Sequence, residues 1–451
     1  MNPEFLRNLW LEASPRRLVG LAVVLGLVFG AAALSQYQTP DRVLSVCGPV
    51  GLAIYALCGL LWASRAAGGS VLDEVRGRTW DFQRLSALSP WRMTWGKLLG
   101  ASALAWLGAL AGLLAAGVST TATKGAGDGL TLVAALAAFA LFLQACAMGA
   151  ALVGVRKARA EGRIATSGAV LLGVIGGLFL ISLLSNHLPM SNQGWINALT
   201  NLLQAPSVIF WGAELPGPQF VAVSLACFAA WASAGAWRLM RLELQMRNSP
   251  WLWVAFLLFA GLWRAGLATP DGPAGEAMSA AVVFAVLSYA AAFVEPADAL
   301  HLRRFAAAVG RGRLLEAADR APAAVFSFKL AVLAVVAAAV LGWSDHSVPA
   351  LNAAVAVAFL VRDLGVILLF RLGPRPGRAD LSAVVALALL YGVGAVIDHL
   401  CQPAGVALFM PFSTVAPAVT LGSGLVQALV AWSLAVRRIR APAGLGQAAA
   451  A

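Results

Sequence analysis

The feature that most constrains this chain is a succession of apolar runs, each long enough to cross a lipid bilayer. A membrane-spanning helix needs about 20 mostly apolar residues, and only helices and closed barrels satisfy their backbone hydrogen bonds inside lipid. The runs are continuous and lack the alternation of barrel strands, so the sequence predicts an all-α polytopic membrane protein. The predicted spans, about twelve in number, cover residues 18–34, 46–63, 98–118, 129–153, 166–186, 219–237, 251–268, 276–294, 323–342, 350–370, 381–397 and 413–436.

The amount and placement of charge agree with this class. The 451-residue chain is 60% hydrophobic and 12% charged, about half the charged fraction of a soluble protein. Most of its 32 Lys and Arg residues fall on alternate loops, whereas the opposite loops carry only Arg42 and Lys124. Because basic loops stay in the cytoplasm, we predict that both termini are cytoplasmic, in a bacterial inner membrane. The net charge of +12 then reflects orientation, and no motif for a nucleic-acid partner is present.

The sequence shows no pattern typical of catalysis or metal binding. Its 5 cysteines form no C-x-x-C pair, and its 4 histidines are scattered between loops, so no metal site is predicted. The phosphate-binding pattern G-x-x-x-x-G-K-[ST] is also missing, because Gly96-Lys97 is followed by Leu98 and lacks the upstream glycine. We therefore expect the chain not to be an enzyme and to hold no cofactor of its own.

Two amphipathic segments lie outside the predicted spans. The first precedes Ser14-Pro15, and its helical spacing of apolar residues predicts a helix in the cytoplasmic membrane interface. The second is the long loop 65–97, in which we predict a short helix before Ser89-Pro90 and another from Trp91 directly into the third span. The apolar positions of these helices are Phe5, Leu6, Leu9 and Trp10 in the first segment, and Trp80, Phe82, Leu85 and Leu88 in the second.

The loop 65–97 carries a motif that resembles a known family. It reads Glu74, Gly77, Thr79, Asp81 and Pro90, followed by Gly96-Lys97-Leu98-Leu99. This is similar to the membrane subunit of type-2 ABC exporters, whose members show Glu, Gly-Thr-x-(Glu/Asp), Pro and a Gly-Lys-Leu-Leu entry into the next span. The sequence departs from that pattern by placing Arg78 between the glycine and the threonine. Family members also share an interfacial N-terminal helix, six spans and a polar outer excursion, so the resemblance covers residues 1 to about 245.

The resemblance implies a permease subunit that moves a substrate with ATP hydrolysed by a separate ATP-binding subunit, expected in two copies. In such exporters this loop is a coupling element, which docks on that subunit and transmits its closure to the spans. The alternative is a solvated loop that faces lipid headgroups, as basic juxtamembrane segments do. The residues implied to contact the ATP-binding subunit are Glu74, Arg76, Asp81, Arg84, Pro90, Trp91 and Arg92.

Short matches between the two halves of the chain predict a parallel repeat of six plus six spans. Ser14-Pro15 before the first span matches Ser249-Pro250 before the seventh. Seven residues separate a proline from a lysine at the entry to both the third and ninth spans, at Pro90 and Lys97 and at Pro322 and Lys329. The predicted domains are a six-span permease core at 1–245, a second six-span bundle at 246–440 and a flexible tail at 441–451. Either one chain supplies both cores, or two chains pair as a homodimer.

One charged pair falls inside a predicted span. Arg362 and Asp363 lie midway along the tenth span, where ionisable side chains are costly and indicate function by default. An ion pair packed inside the bundle is one interpretation of this intramembrane polar pair, and a substrate or gating role is the other.

Two further classes fit the topology. Twelve spans with both termini inside describe a secondary transporter of the major facilitator type, but that family joins its second and third spans by a short turn. A membrane-embedded transferase would need carboxylates or histidines that converge at one face, and the outer loops offer only scattered ones. The absence of a dense polar lining along the predicted spans favours a lipidic or amphipathic substrate.

Overall fold

A computed structural model describes residues 2–39, 42–86, 88–161, 207–246, 248–269, 272–295, 298–343, 350–373, 378–401, 408–411 and 417–440. The chain divides into two compact units, one of residues 1–209 with 213–248 and one of residues 210–212 with 249–451. This division falls close to residue 245, where the sequence predicts a boundary between two bundles. The predicted tail 441–451 lies outside the described residues.

The first unit is built from helices of very different lengths. A π-helical stretch, Ala56–Trp62, joins the helices Val43–Tyr55 and Ala63–Arg76 into one long apolar helix, and such stretches are frequent at functional sites. Two short strands, Ser207–Phe210 and Ala213–Pro216, form a small sheet in the predicted outer excursion. The helices are α1 (Pro3–Glu12), α2 (Pro15–Leu34), α3 (Val43–Tyr55), α4 (Ala63–Arg76), α5 (Trp80–Arg84), α6 (Pro90–Gly100), α7 (Ala103–Lys124), α8 (Ala126–Glu161) and α9 (Gly217–Glu243).

Small residues let the spans of the first unit pack closely. A Cβ atom at Gly112 would lie 2.8 Å from the backbone nitrogen of Tyr55, so α3 and α7 meet almost backbone to backbone. The buried hydroxyl of Tyr55 donates a hydrogen bond to the carbonyl oxygen of Leu136, at 2.7 Å, which ties α3 to α8. The buried Tyr55 hydroxyl is therefore satisfied by backbone of a neighbouring helix.

In the described part of the second unit, five helices are long and apolar and three are shorter. The loop between the first two of the long helices forms two short helices, Ala299–Gly310 and Leu314–Arg320, before Pro322 at the N-cap of the next span. The helices are α10 (Trp251–Ala265), α11 (Gly272–Val294), α12 (Ala299–Gly310), α13 (Leu314–Arg320), α14 (Ala323–Leu341), α15 (Ala350–Arg371), α16 (Ala379–Cys401) and α17 (Pro417–Arg440).

Within the described ranges, ten helices are long and apolar enough to cross a membrane. Each matches a predicted span, and the predicted span 251–268 corresponds to the shorter apolar helix α10. The predicted span 166–186 lies outside the described residues. An all-α polytopic membrane architecture is thereby supported, while the count of twelve and the location of the termini stay predictions.

The two units pair their helices in the same order. Among the described helices of the first unit, the most extensive packing joins α3 to α7 and α8 to α9, which are predicted spans two with three and four with six. Among those of the second unit it joins α11 to α14 and α15 to α17, which are predicted spans eight with nine and ten with twelve. The same pairs therefore dominate at equivalent positions of both halves.

Candidate functional site

The site is built where the N-terminal helix α1 packs against α6, the helix that leads into the third predicted span. Asn2 caps α1 by accepting a hydrogen bond from the backbone N–H of Glu4, at 3.1 Å, and Pro3 occupies the first turn. Gly96 and Gly100 lie one turn apart on α6 and leave room for α1. A Cβ atom at Gly96 would lie 2.6 Å from the Cβ of Glu4, so the close approach requires glycine there.

The polar face of α1 is turned inward. Glu4 and Asn8 are buried, whereas Trp10 and Leu11 are exposed on the outer side of the helix. The apolar spacing predicts the amphipathic helix but does not indicate what its polar face contacts. That face meets α6 because Lys97, a cation, needs carboxylate partners when it is buried.

Lys97 lies at the centre of a charge cluster formed by Glu4, Arg7, Glu74 and Lys97, in which Arg7 is the one substantially exposed member. Its side chain is fully buried, and its Nζ atom lies 3.0 Å from Glu4 Oε1 and pairs also with Glu74 Oε2. Arg7 bridges the same two carboxylates, at 2.9 Å from Glu4 and by a direct contact with Glu74. Two carboxylates thus balance two cations, and the cluster joins α1, α4 and α6.

Glu74 also anchors the short helix α5. Its Oε1 atom accepts a hydrogen bond from Gln83 Nε2 at 2.5 Å. The indole ring of Trp80 is buried, and Lys97 Nζ lies 5.6 Å from its centre, within range of a cation–π interaction. Breaking a buried ion pair costs about 3–5 kcal/mol, because the remaining charge stays buried without a partner. The charge cluster therefore fixes α5 relative to α1 and α6.

The residues predicted to contact an ATP-binding subunit occupy two environments. Glu74 points inward into the charge cluster. The other six lie at or near the surface. Arg76 pairs with Asp73, and Arg84 pairs with Asp81. Next to Pro90, Trp91 packs edge-on against Trp95 and Trp237, and the backbone carbonyl of Arg92 accepts a hydrogen bond from Asn2. These six residues thus leave part of the loop surface accessible to a partner.

Two apolar side chains of this loop are highly exposed. Phe82 is 78% exposed and Leu85 is 86% exposed, and both lie beside the Arg84–Asp81 pair on or next to α5. Both residues belong to the predicted amphipathic helix of the loop, and neither is among the predicted contacts. Their position between charged residues is the sequence feature that could have indicated a contact role.

Arg78, the residue at which the sequence departs from the family pattern, has an unusual backbone conformation. Arg78 adopts a positive φ of 56°, in the left-handed region that favours glycine. It follows the end of α4, where the N–H of Thr79 donates to the carbonyl of Glu74 at 2.9 Å and closes the turn. An arginine therefore occupies a position at which helices usually end in glycine.

The loop helices differ from the prediction in two respects. The first, α5, is a single turn and ends at Arg84, because its stability comes from the anchor residues Trp80 and Gln83. The second, α6, does not continue directly into the span. It breaks at residues 101–102, where the Ser102 hydroxyl donates to the carbonyl of Leu98 at 2.6 Å, a bond that bends helices.

The second unit holds the charged pair predicted inside a span. Arg362 and Asp363 are buried and pair with each other, the Arg362 Nη2 atom lying 2.7 Å from Asp363 Oδ1. Asp363 Oδ2 accepts hydrogen bonds from the hydroxyls of Tyr289 and Tyr391, at 2.8 and 2.6 Å. Arg362 also donates to Gln427 at 3.1 Å. The pair thus links α11, α15, α16 and α17 within one polar network.

The sequence could have revealed part of the charge cluster. Glu74 and Lys97 both belong to the loop motif, but the motif does not indicate that they pair. Their pairing with Glu4 and Arg7 depends on how α1 packs, which no periodicity shows. Compared with known proteins, the chain matches no family model, no curated protein and no solved structure.

Proposed function

We propose that this chain is the membrane-spanning permease subunit of an ABC-type exporter, in a bacterial inner membrane. The observation that carries the proposal is the charge cluster, which joins the loop 65–97 to the N-terminal helix and to the third predicted span. A force applied to α5 would be transmitted through Glu74 and Lys97 to α6. This is the mechanical property that a coupling element needs.

The exposed part of the loop supplies the docking surface in this proposal. Phe82 and Leu85 are apolar anchors, and Asp81 and Arg84 are charges at their edge. Apolar anchors surrounded by charges are typical of protein interfaces. A loop that only faced water or headgroups would not require a fully buried lysine behind it.

The loop of the second unit has a comparable exposed pair. Leu314 is 76% exposed and Leu315 is 84% exposed, beside the ion pairs that Glu316 makes with Arg313 and Arg320. Together with the matching order of helix pairs, this supports a chain that supplies both permease cores. We accordingly propose that each loop engages one copy of the ATP-binding subunit, giving one chain and two partners. The partner would bind and hydrolyse the ATP.

Site-specific crosslinking tests the docking surface. A photoreactive amino acid replaces Leu85 in cells, and the crosslinked product is identified by mass spectrometry. We expect a protein with a P-loop ATPase sequence to be captured at this position. The matched control replaces Leu130, which is 72% exposed at the start of α8 and should capture no such protein. Capture of the ATPase at neither position, or equally at both, would contradict the proposal.

A further inference from the structure

The helix α12 carries positive charge that the proposed transport function does not use. Residues 299–315 contain four arginines and no acidic residue. The helix α17, against which α12 packs, ends in three further arginines and also has no acidic residue. The tail 441–451 contains no Asp or Glu either. Positive charge is therefore concentrated where α12 meets the end of α17.

A hydrogen bond fixes α12 on the last turn of α17. Arg303 Nε donates to the backbone carbonyl of Ile439. Arg304 directly follows Arg303, and Arg440 directly follows Ile439, and both of these arginines are exposed. The bond therefore brings two exposed arginines of different helices to one junction.

This junction lies at the level where membrane spans end. The helix α17 is long and apolar enough to cross a membrane, and it ends at Arg440. In its last turn, Arg438 donates to the carbonyl of Leu369, near the end of the span α15. Helix α12 itself is amphipathic and exposes Leu300 and Val309. An amphipathic helix beside the ends of spans lies in the membrane interface, at the depth of the lipid headgroups.

Four guanidinium groups of this region make no hydrogen bond or ion pair with any residue that the structure describes. These exposed residues, which we call the arginine patch, are Arg304, Arg311, Arg437 and Arg440. The carboxylate of Asp298 is engaged at the N-terminal end of α12, where it accepts a hydrogen bond from the backbone N–H of Leu300 at 2.8 Å. The arginine patch thus keeps its positive charge.

The next helix of the loop, α13, differs because its arginines are paired. Arg313 and Arg320 lie 3.3 and 2.8 Å from the carboxylate of Glu316. The loop therefore has one part with balanced charge, next to the exposed leucines proposed above as a protein contact, and one part with unbalanced positive charge. The orientation of the chain requires only an excess of basic residues, and it does not require that they stay unpaired at one junction.

We propose that the arginine patch binds the headgroups of acidic phospholipids in the adjacent leaflet. A guanidinium group can donate two parallel hydrogen bonds to a phosphate, and basic residues next to spans are attracted to anionic lipid. An acidic protein would also complement the charge, but the position of the arginine patch at headgroup depth favours lipid. The proposal concerns the second unit alone and does not depend on the transport function.

Native mass spectrometry of the whole chain in a neutral detergent tests the lipid preference. The probes are dioleoyl phosphatidylglycerol and dioleoyl phosphatidylcholine, which share their acyl chains and differ in headgroup charge. We expect the anionic lipid to bind at least about tenfold more tightly than the zwitterionic one. Equal binding of the two lipids would overturn the proposal.

A matched pair of double variants assigns the preference to the arginine patch. Arg304→Gln with Arg440→Gln should weaken binding of phosphatidylglycerol at least about tenfold and leave phosphatidylcholine unchanged. Arg313→Gln with Arg320→Gln removes the same number of charges from arginines that already pair with Glu316, and it should keep the preference. Equal losses in both double variants would contradict the assignment.

A conservative variant separates loss of charge from loss of structure. Arg304→Lys with Arg440→Lys retains both positive charges and should keep most of the preference, and the melting temperature of each variant establishes that it is folded. A folded Gln double variant that binds phosphatidylglycerol as the wild type does would overturn the proposal. If that variant also fails to retain an acidic protein that co-purifies with the wild type, the arginine patch is a protein interface instead.

Discussion

At the scale of single residues, Lys97 is the most informative position in the chain. It is a fully buried lysine whose ammonium group is held by Glu4 and Glu74. Burying an unpaired charge costs several kcal/mol, so the three side chains must be present together. The motif alone identified Glu74 and Lys97, while Glu4 was visible only as one polar residue of an amphipathic helix.

Lys97→Met should destabilise the protein by about 3–5 kcal/mol, because it leaves Glu4 and Glu74 facing each other with only Arg7 between them. Thermal unfolding in detergent measures this effect. Lys124→Met, at an exposed lysine, should change the midpoint little. Adding Glu4→Gln to Lys97→Met should recover part of the loss, since it removes one repelling carboxylate. Wild-type stability of Lys97→Met would contradict the ion-pair assignment.

Arg78→Gly should stabilise the first unit by about 0.5–1 kcal/mol. The left-handed backbone costs a non-glycine residue about 1–2 kcal/mol, and the greater freedom of glycine in the unfolded chain offsets part of the gain. The same substitution at Arg65, an exposed position in the interior of the long helix that contains α4, should instead cost about 1 kcal/mol. Denaturant unfolding of the two variants compares them directly. A loss of stability for Arg78→Gly would show that the arginine side chain has a compensating contact.

At the scale of elements, the span positions were predictable and the loop geometry was not. Continuous apolar runs define the long helices because lipid leaves the backbone no other solution. The single-turn helix α5 and the break at residues 101–102 depend on particular side chains, Gln83 and Ser102, whose hydrogen bonds form only in the packed structure.

Gly96→Leu should detach α1 from α6, because even a Cβ atom at this position would overlap Glu4. Amide hydrogen exchange across residues 3–12 should then become at least about tenfold faster, as local opening becomes easier. Gly235→Leu, at a helical glycine with open space around it, is the matched control. Unchanged exchange in Gly96→Leu would mean that α1 does not depend on this close approach.

At the scale of the whole molecule, the sequence predicted a boundary near residue 245 and a repeat of six plus six spans. Which helices pair could not be predicted, because the faces toward lipid and toward neighbouring helices are both apolar. The described helices of the two units nevertheless pair in the same order, α3 with α7 and α11 with α14. That order supports a repeat in which one chain supplies two cores.

If a separate ATPase drives this chain, the two proteins should form one complex whose mass gives the number of copies of each. The tagged chain is purified in mild detergent, and the masses of its assemblies are measured by native mass spectrometry. We expect one copy of the chain with two copies of a P-loop ATPase, and loss of both copies when Phe82, Leu85, Leu314 and Leu315 are changed to Asp. A chain recovered without any ATPase, together with transport driven by an ion gradient in ATP-depleted vesicles, would contradict it.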